Sequence, residues 1–216
     1  MNFDLAQALI FDMDGTLISN MEYHRLSFFE FLKRHGISIT EAEYEHKNKG
    51  TITEIIPRFF GEGLSAEEIF ELGEEKEALY REMYAPHLQP IDGLTEFLEK
   101  AKKRNLRIAL ATMGDQKNIR FTLDGLRIVH YFDATVGGEE VTYGKPHPEV
   151  FLLAAAKLSV SPDACIAFED SVAGITSALA AQMQVVGVAS THTPEELGAL
   201  FQLPTIIRNY HELKGL

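Results

Sequence analysis

Asp12 and Asp14 flank Met13, precede Gly15 and Thr16, and come directly after the apolar run Ala8-Leu9-Ile10-Phe11. Such a run reads as a strand, and side chains along a strand alternate faces, so both carboxylates point to one side where it ends. Gly15 then permits a sharp turn. Carboxylates that close repel one another, which leaves two arrangements open: a bound cation, or one carboxyl held protonated. Further polar residues share the placement. Thr112 follows the run Ile108-Ala109-Leu110-Ala111, Glu169-Asp170 follows Cys165-Ile166-Ala167-Phe168, and Lys145 lies in a loop. An isolated Asp-x-Asp often only caps a helix; an ordered set converging on one rim is a stronger signal.

The elements that must position these groups alternate from about Leu94 onward. Leu94, Phe97, Leu98 and Ala101 recur at helical spacing before the strand at 108–111. Phe151, Ala154, Ala155 and Leu158 mark a helix entered through Pro148, and Val172, Ile175, Thr176 and Leu179 mark another. Val185-Val186-Gly187-Val188 supplies a further strand. Strands apolar throughout and separated by amphipathic helices predict a doubly wound, Rossmann-like parallel α/β sheet, whose ligands gather at the carboxyl ends of its strands.

Residues 19–86 break the alternation and show helical patterns only. Met21, Phe28, Phe29 and Leu32 share a stripe that Gly36 ends, and Ile55, Phe59 and Phe60 mark a short second helix. Gly61 to Glu77 holds seven Glu against one Lys, which reads as a solvated helix face. The expected organisation is an α/β core of residues 1–18 and 87–216 with a helical insertion at 19–86.

At 216 residues, 45% hydrophobic and 24% charged, the composition is that of a folded globular chain. Twenty Lys and Arg against 32 Asp and Glu give a formal charge of -12, which disfavours nucleic acid and anionic membranes as partners. A phosphate-bearing substrate would need local positive charge. The single cysteine, Cys165, lies in an apolar run, so no intramolecular disulfide forms and a buried, inert thiol is expected. The apolar stretch near the N-terminus is too short for a signal peptide or a membrane span, so a soluble cytoplasmic protein is expected. The eight histidines have no zinc-like spacing, and His147 lies between two prolines.

Asp12-Met13-Asp14-Gly15-Thr16, Thr112, Lys145-Pro146 and Glu169-Asp170-Ser171 together resemble the four motifs of the haloacid dehalogenase-like superfamily, and the insertion resembles the small helical cap of its β-phosphoglucomutase-like subgroup. The resemblance spans nearly the whole chain. It implies magnesium-dependent phosphoryl transfer through a covalent aspartyl-phosphate. Asp12 takes the nucleophile position. Asp14 takes the general acid/base position. Asp12, the Asp14 main-chain carbonyl and Asp170 form the magnesium shell, with Glu169 either ligating directly or acting from behind the ligands. Thr112 and the amides of Met113 and Gly114 become donors to the transferring group, and Lys145 its fixed positive charge. The hydroxyl of Thr16 braces the turn. His24, Lys49 and Gly50 fall where the subgroup's cap contacts substrate.

Within that resemblance the mutase pattern has an arginine where this chain has Thr53, and serine with a basic residue where it has Gly114 and Asp115. Asp115 would repel a second phosphate. The reading is therefore a phosphatase of a small phosphorylated metabolite, working as a monomer, with a β-phosphoglucomutase-type sugar phosphomutase as the alternative. A receiver-like signalling domain shares the acid pair, threonine and lysine, but needs neither a general acid nor a lid. True dehalogenases do without the second aspartate and the metal.

Overall fold

The computed structural model describes residues 3–48 and 50–214. The chain forms two compact units: one made of the residues up to Ser19 and from Leu88 onward, the other of Asn20–His87.

The first unit is built on one six-stranded sheet. Its strands are β1 (Ala8–Phe11), β2 (Arg107–Ala111), β3 (Ala134–Val136), β4 (Cys165–Glu169), β5 (Gln184–Val188) and β6 (Thr205–Ile207). They run in the order β3-β2-β1-β4-β5-β6, every neighbour parallel. Successive residues of the central strands serve opposite faces. Ala8, Ile10, Ala109, Ala111, Cys165 and Ala167 pack with Val150, Phe151 and Ala154 of α7 (Glu149–Leu158) and with Ile175 and Ala178 of α8 (Val172–Ala180). On the other face Phe11 stacks on Phe168 with ring centroids 4.4 Å apart, and both meet Phe97 of α5 (Leu94–Lys103) edge-on at 6.3 and 5.5 Å. A sheet covered on both faces needs apolar residues at every strand position, which is why β1 and β4 read as continuous apolar runs. The order places β1 between β2 and β4, and the β1 register pairs Phe11 with Leu110 on one side and Phe168 on the other. Asp12, Thr112 and Glu169-Asp170 therefore emerge side by side.

The second unit is helical among its described residues: α1 (Met21–Arg34), α2 (Glu41–Lys47), α3 (Ile52–Phe60) and α4 (Ala66–Tyr84). Its core gathers Phe28, Phe31, Leu32, Tyr44, Ile55, Ile56, Phe59 and Leu79. Met21, expected in this stripe, is 45% exposed; the buried face of α1 runs through Ser27, Phe28, Phe31 and Leu32 instead. Reciprocal capping fixes helix starts. The Thr40 amide donates to Glu43 Oε2 at 2.8 Å while the Glu43 amide donates to Thr40 Oγ1 at 3.2 Å, and Ser65 and Glu68 repeat the arrangement. No described helix is long and apolar enough to cross a membrane.

Candidate active site

Each polar group begins where a strand stops. The Asp12 amide donates to the Phe168 carbonyl at 3.0 Å, and the Thr112 amide donates to the Val136 carbonyl at 3.0 Å, so both residues are fixed by the last rungs of the sheet. Beyond Asp12 the chain turns through Gly15 at φ +81, a left-handed conformation that suits glycine. A Cβ there would lie 2.2 Å from Asp170 Oδ2, so the turn also needs the bare Cα to bring the two segments together.

Asp12, Glu169 and Asp170 are buried, and one carboxylate oxygen from each lies within 4.8 Å of the others. Lys145 reaches in from the loop between β3 and α7. Its Nζ donates to Asp12 Oδ1 at 2.5 Å and to Glu169 Oε1 at 2.7 Å, and it lies 5.0 Å from the Phe151 ring centroid. The second Glu169 oxygen accepts the Ser171 amide at 2.7 Å and the Ser171 hydroxyl at 3.0 Å, and that hydroxyl also takes the Gly174 amide at 3.0 Å to cap α8. Gly174 must lack a side chain, since a Cβ would overlap the Glu169 carboxylate at 1.7 Å. Ser177 steadies the lysine's loop by donating to the His147 carbonyl at 2.7 Å.

Three carboxylates face one ammonium, and the electrostatics follow. Burial pushes the Asp12 carboxyl well above its ordinary range; Lys145 pulls it back, while Glu169, Asp170 and Asp14 push it further up. Asp170 is pushed up to about 7 by burial and by Glu169, against the pull of the Thr191 hydroxyl and Lys145. Burial works against the Lys145 charge, but Asp12 and Glu169 outweigh it and hold the ammonium protonated. Ionised together, the three carboxylates would carry more negative charge than their lysine balances, and their donors are hard oxygens. Those are the properties that fit a divalent cation such as magnesium.

Asp14 is half-buried and pairs through its backbone with Ile18. The Thr16 hydroxyl reaches beyond its own turn and donates to Asp170 Oδ1 at 3.3 Å, while Tyr210 donates to the Thr16 carbonyl at 3.0 Å. Thr112 is buried; its Oγ1 accepts the Gly114 amide at 3.0 Å, which leaves the hydroxyl proton to be donated elsewhere. Asp115 is the N-cap of α6 (Gln116–Gly125) and accepts the Asn118 amide at 2.7 Å.

Of the residues expected in the insertion, Lys49 lies outside the described residues. Gly50 precedes α3 at φ +103, and Thr53 Oγ1 lies 2.9 Å from Thr51 Oγ1. His24 stacks on Tyr80 at 3.7 Å, and its Nδ1 lies 3.1 Å from Lys76 Nζ. An ammonium only donates, so Nδ1 is the acceptor and the ring proton of a neutral His24 sits on Nε2. Lys76 also donates to Glu77 at 2.7 Å and is buried, although its glutamate-rich surroundings in sequence read as a solvated face. Thr191, whose hydroxyl donates to Asp170 Oδ2, had no signal in the sequence beyond following a strand.

The family model for haloacid dehalogenase-like hydrolases matches residues 9–188. The β-phosphoglucomutase of Bacillus subtilis (strain 168) is 33% identical, with 84% of this chain and 83% of that protein covered. The fructose-1-phosphate phosphatase of Escherichia coli (strain K12) is 31% identical over 83% of this chain and 95% of that protein. A crystal structure of a family IA, variant 3 hydrolase from Entamoeba histolytica superposes with a TM-score of 0.88 at 32% identity, covering 96% of this chain and 95% of that one. The chain belongs to the haloacid dehalogenase-like hydrolase family, in its β-phosphoglucomutase-like subgroup.

Proposed function

We propose that this phosphoric monoester hydrolase acts on a small phosphorylated metabolite of the sugar phosphate kind, through a transiently phosphorylated Asp12. The observation that carries the reading is the surplus of buried carboxylate around Lys145, held at the carboxyl ends of β1 and β4. A carboxylate kept beside a fixed ammonium is oriented for attack, and the site has the charge to hold a cation and, with it, a phosphate dianion.

An Asp12 oxygen attacks phosphorus as the bond to the leaving oxygen breaks, and Asp14 gives that oxygen its proton. Asp14 then takes a proton from the water whose oxygen attacks the same phosphorus. The bond to Asp12 breaks, inorganic phosphate leaves, and the Asp12 carboxylate and the Asp14 acid are restored. Lys145 orients Asp12 and offsets charge on the transferring group. The Thr112 hydroxyl and the Met113 amide donate to its oxygens, while the Gly114 amide holds Thr112 in place. Asp12, Asp170 and the Asp14 main-chain carbonyl would hold magnesium, which when bound neutralises charge on the phosphoryl oxygens. Glu169, with one oxygen against Lys145 and the other on Ser171, serves to hold the lysine. By its resemblance to the subgroup the helical unit is assigned the role of cap, with His24 and Gly50 as candidate substrate contacts. Under this reading the enzyme works as a monomer in the cytoplasm.

The similarity to a β-phosphoglucomutase favours a second reading, a sugar phosphomutase. Asp115 and Thr53 weigh against it: a mutase must retain a second phosphate, and these positions offer a helix-capping carboxylate and a hydroxyl instead of cations. A panel of phosphorylated metabolites, pyrophosphate included, assayed for phosphate release with magnesium and again in excess chelator, tests the first reading. Release that needs magnesium is expected, and undiminished rates in chelator would overturn it. β-Glucose 1-phosphate with a trace of glucose 1,6-bisphosphate separates the two readings: glucose 6-phosphate without free phosphate would reverse their order.

A further inference from the structure

Beyond β5 the chain turns back through Ala189, Ser190, Thr191 and His192, and three consecutive side chains of this loop reach the acidic cluster or the turn beside it. The Ser190 hydroxyl donates to the Gly15 carbonyl, the Thr191 hydroxyl donates to Asp170 Oδ2, and His192 Nδ1 lies 3.3 Å from the Asp170 carbonyl oxygen. Asp170 Oδ1 takes the Thr16 hydroxyl at 3.3 Å from the other side. The carboxylate therefore has one hydroxyl on each oxygen and the bare Cα of Gly15 against it, an arrangement that fixes its rotation. A carboxylate oxygen accepts more than one partner, so each retains capacity for a cation.

We propose that Thr191 is a positioning residue that holds the Asp170 carboxylate in the orientation a divalent cation requires and so sets the affinity of the cluster for that cation; this rests on the metal-dependent reading of the site given above. The bland alternative is that Thr191 merely anchors its loop. The loop has anchors of its own: the Ala189 amide donates to the Ile207 carbonyl at 2.7 Å, and Thr193 and Glu196 cap α9 (Pro194–Leu200) reciprocally, with the Thr193 amide 2.8 Å from Glu196 Oε2. A hydroxyl needed only for anchoring would be redundant there, whereas partners behind a metal ligand commonly govern metal affinity about 10- to 100-fold.

The test is direct. Magnesium is titrated calorimetrically into metal-stripped, substrate-free wild type, Thr191→Val and Thr191→Ser, and the melting temperature of each is measured in chelator. The proposal expects Thr191→Val to bind magnesium about tenfold more weakly, Thr191→Ser to restore the affinity, and all three to melt alike without metal. Equal affinity in wild type and Thr191→Val overturns the assignment of Thr191 alone. A loss accompanied by a lower melting temperature and not rescued by serine overturns it in favour of loop anchoring. A wild type that binds no magnesium overturns the metal-dependent reading of the site, and this proposal with it.

Discussion

Two lysines are buried in this protein to nearly the same degree, Lys145 with a side chain 7% exposed and Lys76 with one 6% exposed, yet their surroundings differ in charge. Lys145 sits in the α/β unit between Asp12 and Glu169, with Asp170 adjoining, so acidic groups outnumber the ammonium. Lys76 sits in the helical unit against one carboxylate, Glu77, the acceptor nitrogen of His24, and the rings of Phe28 and Tyr80 at 5.9 and 5.8 Å. There one ammonium meets a carboxylate directly, with no carboxylate cluster of the Asp12 kind beside it among the described residues. Burial of a charge does not by itself mark a reactive centre; a buried cluster that its own residues leave unneutralised calls for an ion or a charged substrate to complete it.

Substitutions can break that contrast. Asp12→Asn should have the largest effect, lowering kcat by about 10⁴-fold or more while circular dichroism shows the fold retained; full turnover would deny Asp12 its role. Lys76→Met should remove the ammonium 2.7 Å from the largely buried Glu77 and cost about 2 kcal/mol, below the usual range for a broken buried pair because Glu77 keeps some solvent contact. Denaturant titrations with and without magnesium check this, and the same loss in both is expected because the acidic group that could hold an ion among the described residues is Asp12, Glu169 and Asp170, not this one.

Asp170 sharpens the comparison through pH. Its carboxyl, pushed up to about 7 chiefly by burial and then by Glu169, holds its proton more tightly folded than unfolded. Its contribution to stability is therefore present below the ordinary carboxylate value of about 4 and is lost as pH rises through about 7. In chelator, Asp170→Asn should melt higher than wild type at about pH 8, with the difference shrinking toward about pH 5. Excess magnesium should narrow the gap at the higher pH by stabilising the wild type. A difference that does not vary with pH would mean the carboxyl carries no such strain. The smallest effect belongs to the helical unit's surface: Thr40→Ala removes one capping box and should cost about 1 kcal/mol, read from the same titrations.

The central strands and the residues at their ends were legible in the sequence because a strand covered on both faces must be apolar throughout, and a polar residue closing such a run stands out. β3 and β6 were not. Each has three residues, only one of them fully buried, too short a span for any period to show. The buried face of α1 keeps Phe28 and Leu32 of the stripe read in the sequence but adds Phe31, while Met21 remains exposed. Lys76 was hidden because its burial depends on Phe28 of α1, which meets it only through packing. Thr191 was hidden for a related reason: nothing along the chain connects it to Asp170, and only the parallel pairing of β4 with β5 brings the two chain segments together.

Cys165 has a practical consequence. Its thiol lies within β4, wholly enclosed, and is pushed up to about 11 by burial and by Asp163, so it offers thiol-directed dyes and spin labels neither access nor thiolate. A cysteine introduced at any exposed position would consequently be modified alone, without first stripping the native one. Probes could thus be attached singly to either unit of the otherwise unaltered chain.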